Sequence, residues 1–160
     1  MENEFQLHLA TLNDIPTLVI HRRLMFEEMY HLENVVIDKV DLDEVDAAYA
    51  NYLQRSLLSG IAWSWVIRYM DRIPASCVIS LIDYPPNPGN PSGQMALLHG
   101  VFTESSYRQL GLARRICTEA VKFCQDRGIN RITLNASKAG RTLYESLGFE
   151  SVTTQMRLTL

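Results

Sequence analysis

Cysteine is scarce in this chain. There are three, Cys77, Cys117 and Cys124. An odd count with no zinc-type spacing excludes a disulfide framework and a metal finger, and it points to a reducing cytoplasm. No metal ion is expected. Long apolar runs are missing too: nothing approaches the ~18 consecutive residues of a membrane helix, so no membrane role is expected. The opening Met1-Glu-Asn-Glu4 is acidic and leads into no apolar run, which argues against a signal peptide. Neither sign of charge dominates. Eighteen acidic and 15 basic residues are intermixed, with a net charge of -3, and this argues against a nucleic-acid partner recruited by bulk charge. Repeats and low-complexity segments are absent. So are the G-x-G-x-x-G fingerprint of dinucleotide sites and the Gly-Lys-Ser/Thr of a Walker A loop.

What is there is an ordinary globular mix of 160 residues, 47% apolar and 21% charged. That suits a single domain, 1–160, with a core of its own. Phe5, Leu7 and Leu9 alternate as a first strand. The Thr11-Leu-Asn-Asp-Ile-Pro16 run offers a helix cap with proline in the first turn, and a helix is predicted over 13–31. A second helix is predicted over Asp41–Leu58. Strands follow at Ile61–Met70 and Ile73–Ile82. Four of the six prolines crowd into Tyr84–Gly93, which reads as a loop. A fourth strand, Gln94–Thr103, is interrupted by Gly100. Then come a helix over Gly111–Arg127, a strand over Ile129–Asn135, a helix over Ser137–Leu147 and a last strand over Phe149–Leu160. The order is β-α-α-β-β-β-α-β-α-β, an α/β (α+β) pattern.

The most informative stretch runs from Val101 to Ile116. A strand end passes through a polar turn into Arg108-Gln-Leu-Gly111-Leu-Ala113 and a helix with apolar Leu112, Ile116, Ala120 and Phe123. The first turn of a helix leaves about four amides without intrahelical partners, and the helix dipole makes that end electropositive. Glycine admits a ligand close to the backbone. Together these suit a phosphate or pyrophosphate. The local pattern leaves a second reading open, in which Gly111 only relieves a crowded junction and Arg108 is a solvated surface residue.

The turn matches the Arg/Gln-x-x-Gly-x-Gly/Ala signature of the GNAT superfamily, and the sequence resembles that family at a second landmark. Ala139-Gly-Arg-Thr-Leu-Tyr-Glu-Ser-Leu-Gly-Phe149 is similar to the family's A-x-x-L-Y-E-x-x-G-F ending, with one extra residue after the alanine. The resemblance covers roughly 94–150 and is weak over 1–93. It implies a mixed, mostly antiparallel sheet with helices on both faces. The fourth and fifth strands splay apart to admit acetyl-CoA. It implies that the pantetheine arm pairs with the backbone of Val101, Phe102 and Thr103, and that the pyrophosphate meets the backbone of Arg108, Gln109, Leu110, Gly111, Leu112 and Ala113. Gly100 would mark a bulge that helps open the sheet. Many family members carry asparagine where this chain has Ser137, which would hold a pantetheine amide or cap the helix.

The resemblance further implies transfer of an acetyl group to an amine of a small molecule or peptide, with Tyr144 as the acid near the sulfur. A phenol of ordinary pKa near 10 holds its proton at neutral pH. The same residue could instead be a packed helix tyrosine. His99, on the face of Val101 if the pleat is regular, is one candidate base, and a half-buried structural histidine is the competing reading. Glu104 is the other candidate base, or a solvated turn residue. The amide of Thr103 or Phe102 would polarise the carbonyl. Arg22, Phe26 and Met29 share a helical face that would line the acceptor pocket. There Arg22 either meets an acidic group of the acceptor or snorkels to water. Glu27 and Glu28 would attract a cationic amine or form an exposed face. Trp63, Trp65, Cys117 and Cys124 read as packing residues. A homodimer is common in the family. The competing function is a binding module that holds acyl-CoA without turnover.

Overall fold

The computed structural model of the protein describes residues 4–152 and 154–160, and every side chain among them but that of Val40. Met1, Glu2 and Asn3, which belong to the acidic start, lie outside the described residues. So does Thr153 within the expected last strand.

Five strands form one sheet in sequence order: β1 (Gln6–Leu9), β2 (Ala62–Tyr69), β3 (Arg72–Asp83), β4 (Gln94–Thr103) and β5 (Ile132–Thr133). The first four are antiparallel neighbours, and β5 runs parallel to β4. Helices α1 (Ile15–Leu32) and α2 (Lys39–Leu58) cover one face, while α3 (Leu112–Asp126) covers the other, followed by the short α4 (Arg141–Ser146). This is the mixed, mostly antiparallel architecture expected.

Two cores follow from strand alternation. Trp65, Ile67, Cys77, Ile79, Ala96 and Leu98 point to α3 and meet Leu112, Ile116, Cys117, Ala120 and Cys124. Those helical positions recur at about 3.6-residue spacing, which is why α3 buries one stripe. Val66 and Val78 point the other way, to Leu18, Tyr49 and Leu53. All three cysteines are buried free thiols, and Trp65 and Trp63 pack with the α3 core, as expected. No helix among the described residues is long and apolar enough to cross a membrane.

The expected helices and strands form, with three differences. Strand β5 has shrunk to two residues because β4 and β5 touch only at Ala96–Ile132 and Leu97–Thr133 before they diverge. The helix expected from Ser137 begins at Arg141, because the carbonyl of Ser137 is drawn into a turn that accepts the amides of Gly140 (3.2 Å) and Arg141 (3.1 Å). The strand expected over Phe149–Leu160 does not form among the described residues. Val152, Met156 and Leu158 stand exposed, and a strand exists only where a neighbour completes its ladder.

Candidate functional site

The divergence of β4 from β5 opens the sheet. Beyond Leu97 the outer edge of β4 has no strand partner among the described residues. The amide of Glu104 bonds to Pro74 on β3 (2.9 Å). Since amides alternate sides along a strand, those of Val101 and Thr103 face the open edge and that of Phe102 faces β3. Thr103, not Phe102, is therefore the carbonyl-polarising candidate. The Thr103 hydroxyl is buried there without a hydrogen-bond partner.

Gly100 forms the bulge. The β3–β4 register slips between Ser76 and Val78, and Gly100 takes a left-handed φ of 59°. A Cβ there would stand 3.2 Å from the Tyr49 hydroxyl. The extra residue reverses the pleat. A regular pleat would have set His99 and Val101 on one face. Instead, His99 turns to α1 and α2 and Val101 to the α3 core.

Just beyond the strand, a 3-10 turn (Ser105–Tyr107) leads to Gln109 and Gly111, both left-handed at φ 64° and 76°. Consecutive amides around such residues converge on a concavity suited to anions. Among the described residues, the amides of 109–114 find no acceptor within the chain, and nothing lies within 4 Å of where a Gly111 Cβ would project. The cradle is open and fits a pyrophosphate. Arg108 differs from the rest of the expected backbone set, because its amide is engaged within the chain. Its amide bonds to Ser105 (3.4 Å), its Nε–H donates to the Thr103 carbonyl (2.9 Å), and its Nη2 grips both oxygens of Glu28 at 2.8 Å. The guanidinium braces the turn against α1.

Tyr144 is fixed by the Leu-Gly-Phe run that follows it. Phe149 donates its amide to the Tyr144 carbonyl (3.0 Å), and Gly148 donates to Glu145 (3.0 Å). This double closure is the Schellman motif. It lays the Phe149 ring edge-on to Tyr144 at 6.0 Å. The ring also lies over Gly140, where a Cβ would come within 2.9 Å. Burial pushes the phenol well above 10, with the Cys117 and Cys77 thiols adding to the shift. Tyr144 therefore stays protonated at neutral pH. Its hydroxyl makes no hydrogen bond among the described residues. Ser137 takes the capping role, its Oγ accepting the Gly140 amide at 3.1 Å.

On the opposite face His99 sits in a polar cluster. Its Nε2 is 2.8 Å from Ser80 Oγ, which accepts from Tyr52 at 2.6 Å. Its Nδ1 is 3.4 Å from both Arg22 Nη1 and the Tyr49 hydroxyl. Arginine can only donate. Nδ1 therefore carries the lone pair, and Nε2–H donates to Ser80. Burial, and then the Arg22 charge, lower the His99 pKa to about 4, so the ring is neutral at pH 7. Arg22 stacks over Tyr49 at 4.3 Å and Phe26 at 5.1 Å. Met29 is half-buried on the same helix. Glu104 is elsewhere: its carboxylate pairs with Arg72 at 3.2 Å. Glu27 is held by Arg23, and Glu28 by Arg108.

Tyr49, Tyr52 and Ser80 belong to this cluster, and no motif announces them in the sequence. The signal available was Tyr49 and Tyr52, three apart on a helix with Leu53 and Ser56, and it resembles ordinary core. His21 is equally unannounced by any motif. It is 2% exposed, its Nδ1 lies 2.7 Å from Ser76 Oγ and its ring 5.0 Å from Phe102.

A family model described as "Acetyltransferase (GNAT) domain" matches residues 51–157. Among solved structures, a predicted acetyltransferase from Clostridium acetobutylicum, solved with acetyl-CoA, superposes with a TM-score of 0.88 at 25% identity, covering 98% of this chain and 96% of that one. A GCN5-related N-acetyltransferase from Ralstonia eutropha JMP134 gives 0.87 at 23% identity, covering 98% and 99%. Glucosamine-6-phosphate N-acetyltransferase from Arabidopsis thaliana gives 0.66 at 17%, covering 98% and 99%. No curated protein matches the chain in sequence.

Proposed function

Because the chain belongs to the GNAT acetyltransferase family, we propose that it is an acetyl-CoA-dependent N-acetyltransferase that moves the acetyl group directly onto a primary amine of a small molecule or peptide. The observation that carries this reading is the open set of unpaired amides over 109–114, set beside the unpartnered edge of β4. The Clostridium acetobutylicum neighbour, solved with acetyl-CoA, supports the same cofactor here.

In this reading the amides of 109–113 hold the pyrophosphate, with Arg108 bracing them. Val101, Phe102 and Thr103 flank the pantetheine arm, and Ser137 shapes the turn before α4. Acetyl-CoA supplies an activated acetyl group as a thioester. Thr103 N–H stabilises charge developing on the carbonyl oxygen. As the new C–N bond forms and the C–S bond breaks, Tyr144 gives its proton to the departing sulfur. The amine's proton leaves to solvent or to Nδ1 of His99, which is in the unprotonated state that accepts it. Glu104, held by Arg72, is the weaker base candidate. The acceptor enters over Arg22, Phe26 and Met29. The unpartnered Tyr144 hydroxyl favours turnover over mere acyl-CoA storage. Three unpaired thiols suit a reducing cytoplasm.

Two measurements test the reading. Acetyl-CoA at about 100 times its Kd should stabilise the fold by about 2.7 kcal/mol through mass action. A panel of amines and peptides, followed by thiol release, should yield an acceptor. Absence of any thermal shift at saturating acetyl-CoA would remove the cofactor site.

A further inference from the structure

Neighbouring arginines on α1 meet opposite surroundings. Arg23 bonds three carboxylates, those of Glu27, Asp43 and Asp46, at 3.2, 2.6 and 2.7 Å. Arg22 has no carboxylate among the described residues, and its Nε–H is buried without an acceptor. Among the described residues its charge faces the rings of Tyr49 and Phe26, the Tyr49 hydroxyl and the neutral imidazole of His99. A partly buried cation without a counter-ion is a costly arrangement, and a bound anion would supply the missing charge.

We propose that Arg22 is the specificity-determining residue for an acceptor that carries a carboxylate as well as the amine, held through the terminal nitrogens of the guanidinium, with the Tyr49 and Phe26 rings as walls. The proposal rests on the acetyl-transfer reading above and names the substrate class of that site. A planar monoanion suits one guanidinium fork between flat rings, whereas a phosphate dianion would call for a second cation, and Arg22 is the only one in the cluster among the described residues. The Arg22–His99 contact ties the anion to the reacting end. A carboxylate on the guanidinium offsets the positive charge that weighs against protonating Nδ1.

The test compares common α-amino acids with their carboxamides as acceptors, with thiol release as the readout. At least one free acid should exceed its amide tenfold or more in kcat/KM, mainly through KM. In Arg22→Met that ratio should collapse to about one, and Arg22→Lys should restore only part of it. Retained thermal protection by acetyl-CoA checks that each variant is folded. A wild-type ratio near one, or a ratio unchanged in Arg22→Met, overturns the proposal. If nothing turns over, the transfer reading fails, and the anion site is then judged by NMR of the His99 ring. Acetate should move the His99 resonances saturably in the wild type and not in Arg22→Met, with acetamide inert. No response to acetate, or a stronger response to inorganic phosphate, overturns it.

Discussion

Two histidines, His21 buried and His99 half-buried, should make the fold sensitive to mild acid. His21 and His99 are both depressed from 6.5 to about 4, His21 by burial and His99 by burial and then the Arg22 charge. In the unfolded chain each would titrate near 6.5. Between those two values the unfolded state binds protons that the native state refuses, so stability rises with pH across that window. It is fully present above pH 6.5, is lost as pH falls, and the loss saturates below about 4. Moving from pH 7 to pH 5 costs about 2 kcal/mol for a fully buried imidazole with this shift. His99, half-buried, contributes less, so the pair together costs about 3 kcal/mol. Against a typical total of 5–15 kcal/mol this is a large share. Asp14 does not confound the window. Burial pushes its carboxyl up, but the Thr11 amide and Arg68 outweigh that and hold it below 3.8, so its contribution is lost only at lower pH. Urea unfolding at pH 7, 6 and 5 reads the effect as a falling midpoint at constant slope. His21→Gln keeps a hydrogen-bonding group near Ser76 without a titrating ring. It should remove at least half of the pH dependence, whatever its effect on stability at pH 7. Equal midpoints at pH 7 and pH 5 in the wild type, or an unaltered pH dependence in His21→Gln, would refute the reasoning.

Gly111→Gln projects a side chain where the protein itself has no atom within 4 Å. It should cost about 1 kcal/mol of stability for its left-handed φ yet abolish protection by acetyl-CoA in a thermal melt; intact protection would place the cofactor elsewhere. Tyr144→Phe should lower kcat by about 10²-fold and leave the affinity for acetyl-CoA unchanged by calorimetry. Equal turnover would remove the acid role. Gly100→Ala meets both a left-handed φ of 59° and the Tyr49 hydroxyl at 3.2 Å, so it should destabilise the fold by about 1–3 kcal/mol in denaturant unfolding. A neutral result would mean that the bulge relaxes.

Periodicity carried most of the architecture. Leu112, Ile116, Ala120 and Cys124 declare α3 by spacing alone, and Gly128 marks its end: Ile129 donates to Cys124 and Gly128 to Gln125 at 2.9 and 3.0 Å. The candidate phosphate cradle was legible too, since it is made of main chain and a glycine announces it. Side-chain pairing was less legible. Nothing local says that Arg108 reaches 80 residues back to Glu28, or that Ser137 spends its hydroxyl on Gly140. The cluster around His99 draws on α1, α2, β3 and β4, and only the fold brings those together. Strand β5 and the last segment fall short of what their alternation predicts, because alternation reports a side chain's preference for a face, while a strand also needs a neighbour within reach.

One inserted residue at Gly100 puts the two parts of β4 out of step. Leu98 looks toward α3 and His99 toward α1 and α2, yet Val101, two positions on, looks toward α3 again. A ribbon counted in twos thereby gains an odd beat. The imidazole and the valine, which an even beat would have stacked together, stand on opposite sides of the sheet, and removing that beat would carry one of them through to the other layer.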